Sequence, residues 1–388
     1  IVASGSAVNA ELSSSNNGLT ASTIDFSNIN NADLNDGELT GTNGNGETFT
    51  ISSTENAVNV NDIDFTQVSA IDAGSSAGDS VVASGSAVNA ELTSSNNGLT
   101  ASAIGFSNIN DADLNNGELT GTNTDSETFT ITSAANAVNV NAIDFTQVSA
   151  IDAGSSASDS IVASGSAVNA ELTSSNNGLT ASTINFSNIN DADLNGGELT
   201  VTNSNDETFT ITSTDNAVNV NAIDFTQVSA INAGSSAGDS IVASGSAVNA
   251  ELTSNNNEAV ASAITFSNID NADLNGGVLS GSASGDTFTL SGADLLANQI
   301  LFTAIHDAIN ANGGADHVTG LAGVNWTLTG TNGAIDSTNY QFTGIETANL
   351  LGQTLTGTNT DSETFTITSA ANAVNVNAID FTQVSAID

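Results

Sequence analysis

The feature of this chain that most constrains its fold is an internal repeat. Residues 1–80, 81–160 and 161–240 align without gaps, and the string IVASGSAVNAEL at Ile1 returns with at most one change at Val81, Ile161 and Ile241. A finer motif, Ile-x-Phe-[Ser/Thr]-x-[Ile/Val], recurs at intervals that alternate between 39 and 41 residues, at Ile24, Ile63, Ile104, Ile143, Ile184, Ile223 and Ile264. The unit is therefore about 40 residues long and has two alternating forms. Units this short bury their apolar face only by stacking on neighbours.

Within each unit the residues alternate between apolar and polar. TFTIT, AVNVNA, ELTGT and AIDFTQV are rich in Thr, Val, Ile and Phe, and clusters of Asn, Gly, Ser and Asp separate them. This pattern predicts short strands joined by tight turns. The segment 293–311 has some helical character but keeps the repeat motif, so we interpret it as strand.

These patterns predict an all-β protein, a β-solenoid with coils of about 20 residues built from the 40-residue units. Residues 1–388 are expected to form one continuous solenoid with sequence repeats 1–80, 81–160, 161–240, 241–316 and 317–388. The last two are divergent copies, and the final one is truncated. Tandem β-sandwich domains are the alternative fold. The half-repeat and the lack of a linker between copies favour the solenoid.

The 15 Phe residues occupy only two positions of the repeat, which predicts a ladder of aromatic side chains in the core. Five of them follow an acidic residue in strings such as GETF. The other ten are the motif positions Phe26, Phe65, Phe106, Phe145, Phe186, Phe225, Phe266, Phe302, Phe342 and Phe381.

The chain has 43 Asp and Glu residues and not a single Lys or Arg, for a formal charge of −43. Binding to nucleic acid phosphates requires basic side chains, so nucleic acid partners are excluded. Anionic membrane surfaces are disfavoured, and no apolar run is long enough for insertion into a membrane. A chain without Lys or Arg offers trypsin-like proteases no cleavage site, which indicates an extracellular or cell-surface location.

Each unit also carries a motif in which an acidic residue precedes Ser, Thr or His and then an apolar residue. GSSAGDSVV (74–82) and GSASGDTFT (281–289) resemble the nonapeptide of calcium-binding RTX β-rolls at the first, sixth and eighth positions. The resemblance implies that the acidic residues of these turns bind Ca²⁺, namely Asp79, Asp159, Asp239, Asp286 and Asp316. The alternative is that these side chains face solvent at a corner, so that no cofactor is required.

Strings such as ITFSNI and DTFTLSG, followed by ILFTAI and NGGADHVTG, extend the likeness to nearly the whole chain. They resemble the β-strand repeats of giant bacterial surface and secreted proteins, including haemagglutinin-type adhesins. This resemblance implies a secreted structural protein, a filament, stalk or biofilm matrix fibre, with no enzymatic residues. A calcium-dependent adhesin stalk with its binding tip outside this chain is the first alternative. An ice-binding solenoid, suggested by Thr128–Phe129–Thr130, is the second.

Candidates for catalysis are few. The acidic pairs such as Asp111 and Asp113 recur along the chain, and an active site repeated in this way is not expected. His306 and His317 stand beside Asp307 and Asp316 without a recognisable nucleophile motif. We therefore predict that the protein is not an enzyme.

The end of the chain is nearly in phase with its beginning, since Asp388 aligns with Asp72 and Ile1 with Val81. This phase is expected of an excerpt of a longer chain or of subunits that associate end to end. In both cases the partner is more of the same repeat, because the edge of a sheet can pair with another strand.

Overall fold

The computed structural model of the chain is an all-β protein, as the sequence predicts. It describes residues 1–14, 16–174, 177–202, 205–358 and 362–388, and these contain strands, turns and bends but no helix. The chain divides into two compact units, Ile1–Gly197 and Glu198–Asp388. Each unit is a β-solenoid, so the tandem-sandwich alternative is wrong.

The strands of the first unit are short, apart from four of ten residues. They are β1 (Ala10–Leu12), β2 (Leu19–Ala21), β3 (Ile24–Phe26), β4 (Asn31–Thr40), β5 (Thr48–Ile51), β6 (Val58–Val60), β7 (Ile63–Asp72), β8 (Ser80–Ala83), β9 (Ala90–Leu92), β10 (Leu99–Ala101), β11 (Ile104–Ser107), β12 (Asp111–Thr120), β13 (Thr128–Ile131), β14 (Val138–Val140), β15 (Ile143–Asp152), β16 (Ser160–Ala163), β17 (Ala170–Leu172), β18 (Leu179–Ala181), β19 (Ile184–Ser187) and β20 (Asp191–Asp193).

The second unit has strands of two to seven residues. They are β21 (Glu198–Val201), β22 (Thr208–Ile211), β23 (Val218–Val220), β24 (Ile223–Thr226), β25 (Ala230–Asn232), β26 (Ser240–Ala243), β27 (Ala250–Leu252), β28 (Glu258–Ala261), β29 (Ile264–Ser267), β30 (Asn271–Gly277), β31 (Leu279–Ser280), β32 (Thr287–Ser291), β33 (Asp294–Ala297), β34 (Ile300–Ile305), β35 (Ala308–Asn310), β36 (His317–Thr319), β37 (Trp326–Leu328), β38 (Ala334–Asp336), β39 (Gln341–Thr343), β40 (Thr347–Asn349), β41 (Thr354–Thr356), β42 (Thr366–Ile367), β43 (Val374–Val376), β44 (Ile379–Thr382) and β45 (Ala386–Ile387).

The strands of the first unit pair in two columns, which we call the first and second ladders. The first ladder runs through β1, the second halves of β4 and β7, then β11, β10 and β9. The second ladder runs through the first halves of β4 and β7, then β6, β5 and β8. The long strands bend between the ladders, because β4 shifts register between Asp33 and Gly37. Each coil therefore contributes strand to both ladders.

Each 40-residue unit contains three antiparallel strands, a meander, and the other neighbours in each ladder are parallel. In the meander β5–β6–β7, Thr50 pairs with Asn59 and Val58 pairs with Phe65. Asn61 and Asp62 join β6 to β7 with φ of 50° and 61°, the left-handed conformation of a two-residue hairpin turn. Asn and Asp tolerate this conformation better than most residues.

Successive meanders belong to opposite ladders, which explains the two alternating forms of the repeat. The meander β1–β3 lies in the first ladder, β5–β7 in the second, and β9–β11 again in the first. Two 40-residue units are needed to return to the same ladder. The 80-residue repeat is therefore the true structural period.

The predicted coil length of about 20 residues, typical of the shortest solenoid repeats, is wrong. In register, Thr48 pairs with Ser80, Ser80 with Asp111 and Asp111 with Asp144. Hydrogen bonds between equivalent positions of adjacent coils, such as Ser80 Oγ to Thr48 Oγ1, accordingly span 32 residues. The predicted length of about 20 residues assumed that every turn carries the chain on to the next side of the coil. The two hairpin turns of a meander instead reverse the chain within one ladder, which lengthens the coil without closing it.

The second unit repeats the two ladders and the meanders, including the divergent part of the sequence. There the coils are slightly shorter, since Thr287 pairs with His317 and His317 with Thr347. The segment 293–311 forms β33, β34 and β35, which confirms its interpretation as strand.

The core lies between the two ladders. Phe49 of the second ladder meets Phe106 of the first with ring centroids 6.2 Å apart, and Phe129 with Phe186, Phe209 with Phe266 and Phe288 with Phe342 repeat this contact at 5.9–6.2 Å. Such tilted aromatic pairs are favoured by the ring quadrupoles.

Nine of the ten Phe residues of the repeat motif are buried, and Phe26 is the exception. Phe26 is half-buried, and Ile24 of the same strand is 56% exposed. The reason is local. Strand β11, which holds Phe106, also pairs with β7 of the preceding coil, whereas β2 is the one strand that β3 pairs with in the described part of the chain. The expected core position of Phe26 is therefore only partly reached.

Candidate site of buried carboxyl pairs

The acidic residues singled out in the sequence lie inside the molecule. Asp79, Asp159, Asp239 and Asp316 are 0% exposed, and Asp286 is 1% exposed. The expectation that these side chains face solvent at a corner is therefore wrong. Each lies at the last position of a turn, directly before a strand whose second residue is a buried Val, Ile or Phe. The turn of one coil stacks on the turn of the next, which closes the carboxylates off from water.

Four of these five Asp residues are held against an acidic residue of the preceding coil. The main-chain N–H of Glu47 donates to Asp79 Oδ1 at 2.8 Å, and that of Glu127 to Asp159 Oδ1 at 2.9 Å. The same contact joins Glu207 N to Asp239 Oδ1 at 2.8 Å and Asp286 N to Asp316 Oδ1 at 2.7 Å. We call these four sets, Glu47/Asp79, Glu127/Asp159, Glu207/Asp239 and Asp286/Asp316, the carboxyl pairs.

The preceding acid in a pair is itself buried and is bound by its own turn. Glu47 is 2% exposed and accepts hydrogen bonds from Thr42, from N at 3.3 Å and from Oγ1. Asp286 accepts from Ser282 N at 2.6 Å and from Asn298 Nδ2 at 2.7 Å. The turn therefore folds around this carboxylate and supplies it with hydrogen-bond donors.

The second oxygen of the following acid has no such support. The Oδ2 atoms of Asp79, Asp159, Asp239 and Asp316 are buried and have no hydrogen-bond partner in the described part of the chain. A buried, unpaired carboxylate oxygen costs free energy. The chain also contains no Lys or Arg that could neutralise it.

Burial raises the pKa of several of these carboxyls. The pKa of Asp79 rises from 3.8 to about 6, first through loss of hydration and further through the side-chain carboxyl of Glu47, whereas the hydrogen bond from the main-chain N–H of Glu47 lowers it. Loss of hydration likewise raises the pKa of Asp316 to about 6 and, in direction, those of Glu127 and Asp239.

Sequence reasoning recognised the Asp members of the pairs but missed Glu47, Glu127 and Glu207 as their partners. The signal was present, because ETF and DSV strings share the same motif. The sequence did not give the coil length, however. Glu47 lies against Asp79 only if adjacent coils are 32 residues apart, and the predicted coil of about 20 residues does not bring the two together. Among the described residues no group of three or more His, Asp or Glu side chains is arranged to hold a metal ion, and calcium binding stays a prediction.

The two histidines occupy different surroundings. His306 Nδ1 is 3.0 Å from Asp307 Oδ1, and both side chains are more than half exposed. His317 Nδ1 lies 2.7 Å from Thr347 Oγ1 and Nε2 lies 3.1 Å from Thr319 Oγ1. Burial lowers the pKa of His317, and its ring links the neighbouring strands β36 and β40 through the contact with Thr347.

The outer face of the second ladder carries the Thr-rich strands. Thr48 and Thr50 point outward in β5, and the next strands in register present Ser80 and Val82, then Asp111 and Asp113. The row thus mixes hydroxyl groups with a valine and carboxylates. Ice binding by this face stays a prediction.

An open groove of about 300 Å³ lies beside the meander β5–β7, lined in part by Thr50, Asn59 and Ser84. Equivalent grooves of about 290 Å³ and 240 Å³ lie beside β13–β15 and β22–β24. The grooves thus recur with the 80-residue repeat.

None of the described residues form a helix that is long and apolar enough to cross a lipid bilayer. Comparison of the chain with protein-family models, with curated proteins and with solved structures gave no match.

Proposed function

We propose that this chain is an extracellular structural protein that forms or extends a filament, a stalk or a biofilm matrix fibre by stacking β-coils. One observation carries the proposal: the contacts that join coils recur at the same positions of each repeat. The pairing of Thr48–Ile51 with Ser80–Ala83 recurs for Thr128–Ile131 with Ser160–Ala163 and for Thr208–Ile211 with Ser240–Ala243. A repeated coil contact is what a load-bearing element needs.

The same recurrence argues against catalysis. The carboxyl pairs and the grooves return with each 80-residue repeat, whereas an active site is a single constellation with assigned roles. The protein is therefore proposed to be no enzyme and to need no cofactor.

Self-association is the proposed partner interaction, without nucleic acid and without membrane insertion. Adjacent coils are joined mainly by main-chain hydrogen bonds in parallel register, and main-chain pairing does not depend on a particular side chain. A strand edge in one chain can therefore pair with an edge in another chain in the same way.

The extracellular location is supported by composition. Without Lys or Arg, even the unfolded chain offers no site to trypsin-like proteases. Antibody labelling of intact cells of the source organism tests the location directly. Labelling only after the cells are opened would overturn it.

Electron microscopy of the native material, combined with fibre diffraction, tests the structural role. Continuous filaments with a reflection near about 4.8 Å along the fibre axis are expected, because this is the spacing of adjacent strands. Discrete particles with the mass of one chain at every concentration would overturn the proposal.

A calcium-dependent adhesin stalk is the second candidate, and the burial of the unpaired Asp oxygens favours it. Ca²⁺ prefers carboxylate and carbonyl oxygens. In that case EDTA lowers the temperature of unfolding and Ca²⁺ restores it. A filament that needs no cation is unaffected by EDTA.

A further inference from the structure

The carboxyl pairs have a property that coil stacking alone does not require. Each pair brings two carboxyl groups together in a dry interior, and one oxygen of the following Asp is left without a hydrogen-bond partner among the described residues. No Lys or Arg exists anywhere in the chain to compensate the charge. A fully ionised pair would bury two like charges, which is strongly unfavourable.

The two members of a pair are not equivalent. Glu47 accepts hydrogen bonds from Thr42 N and Oγ1, and Asp286 accepts them from Ser282 and Asn298, so the preceding acid finds donors within its own turn. Asp79 and Asp316 accept at Oδ1 from a main-chain N–H, and their Oδ2 atoms have no hydrogen-bond partner among the described residues. A donor is missing between the two groups, and a proton on one carboxyl supplies it.

We propose that each carboxyl pair is a proton-binding site, in which one shared proton forms an O–H···O hydrogen bond between adjacent coils. Mild acid then strengthens the stacking of the coils, and alkali weakens it. The proton site requires only the fold and does not depend on the filament proposal.

The charged groups around the pairs are acidic and therefore favour proton uptake. Asp79 faces Glu47 and Asp72, and Glu127 faces Asp159. In the second unit the surrounding acids are Glu207, Asp270 and Asp206 around Asp239, and Asp286 and Glu346 around Asp316. His317 follows Asp316 in sequence, but its ring nitrogens are engaged by Thr347 and Thr319.

The geometry fixes the direction of the pH dependence. The folded pKa of Asp79 and Asp316, about 6, lies above the value of 3.8 for the free side chain. The stability that the proton provides is fully present below pH 3.8 and is lost as the pH rises through about 6. For one pair, this predicts an about tenfold rise in the folding equilibrium constant from about pH 8 to about pH 5.

The test replaces the proton by a permanent donor. In the fourfold variant Asp79→Asn, Asp159→Asn, Asp239→Asn and Asp316→Asn, each amide can donate where the shared proton would. A matched control removes four exposed charges at equivalent repeat positions, as Glu11→Gln, Glu91→Gln, Glu171→Gln and Glu251→Gln. Thermal unfolding is followed by circular dichroism between about pH 5 and about pH 8, a range that spans the expected titration.

We expect the natural chain and the control to gain stability as the pH falls, and the Asn variant to change much less. Because a variant can fail to fold, the infrared spectrum of the natural chain is the second measurement. In mild acid it is expected to show a protonated carboxylic acid band that exchanges slowly with deuterium and is lost as the pH rises through about 6. Equal pH dependence in variant and control overturns the proposal. The proposal is also overturned if the natural chain shows no acid band, is destabilised by EDTA and is restored by Ca²⁺.

Discussion

At the scale of single residues, the repeat depends on positions that only one residue type can occupy. Gly117 lies at the bend of β12, and a Cβ built there would be 1.9 Å from the carbonyl oxygen of Val88. Gly37, Gly197 and Gly277 meet Val8, Val168 and Val248 in the same way, at 1.8–2.0 Å. The bend that carries a long strand from one ladder to the other therefore requires glycine.

Replacing this glycine is predicted to weaken the fold. Gly117→Ala forces the main chain away from Val88, and we expect a loss of about 1–3 kcal/mol in the free energy of unfolding. Gly105→Ala, in β11 of the same repeat, is the control, because a Cβ there meets no atom within 4 Å. Equal unfolding temperatures for the two variants would contradict the close contact.

A second residue-scale device is the asparagine in the first loop of most meanders, for example Asn97 between β9 and β10. Asn97 has φ of 58°, and its Nδ2 donates to Ile109 O at 2.8 Å and to Ala142 O at 3.0 Å. Its main chain adds bonds with Asn141 and Ile109. The side chain thus ties its own loop to the turn of the next meander, at Ala142, which is 45 residues away in sequence.

For Asn97→Ala we expect a loss of about 2–3 kcal/mol, since two hydrogen bonds are removed and alanine disfavours the left-handed conformation. Asn96→Ala is the matched control, because Asn96 is the exposed neighbour of Asn97 in the same loop. Chemical denaturation measures both. A loss of equal size in the two variants would show that the loop tolerates any residue at either position.

At the scale of strands and turns, the sequence predicts the element types but not their connectivity. The alternation in TFTIT and AVNVNA identifies the strands, and the Asn, Gly and Ser clusters identify the turns. Whether a turn such as Asn61–Asp62 reverses the chain within a ladder or carries it to the other ladder depends on backbone conformation. This one ambiguity produced the wrong coil length and hid Glu47 as the partner of Asp79.

The alternation of meanders between ladders predicts which deletions are tolerated. Removing residues 81–160 deletes one full period, so the flanking strands keep their ladders and the unfolding temperature should fall only slightly. Removing residues 88–127 deletes one 40-residue unit. The meander β13–β15, which belongs to the second ladder, then stands where the chain needs a meander of the first ladder. We expect a much larger fall, measured by circular dichroism. Equal effects of the two deletions would contradict the assignment of meanders to ladders.

At the scale of the whole molecule, negative charge opposes folding. The chain has 43 acidic residues and no Lys or Arg to pair with them. Repulsion among exposed carboxylates lowers stability and is screened by salt, because the Debye length is about 3 Å at 1 M ionic strength. The repulsion among carboxylates could be predicted from the composition alone. The burial of the carboxyl pairs could not, because it depends on how the coils stack.

We therefore expect the unfolding temperature at neutral pH to rise steadily with NaCl up to about 1 M. Sodium and potassium chloride should act alike, since screening does not distinguish the cations. Calorimetry in both salts measures this. A rise with only one cation, or none, would show that screening of surface charge does not control stability.

The central claim is that residues of adjacent coils stack at a spacing of 32 residues, as Thr48 and Ser80 do, and disulfide trapping tests it most directly. The chain has no Cys, so Thr48→Cys with Ser80→Cys introduces a single possible bridge. These residues are direct partners in parallel strands. Adjacent strands lie about 4.8 Å apart, which is within the Cα separation of about 4.4–6.8 Å that a disulfide requires. Thr48→Cys with Asn89→Cys, spaced by one sequence unit, is the control. Rapid intramolecular cross-linking of the first pair alone is predicted. Cross-linking of the control pair in its place would contradict the stacking.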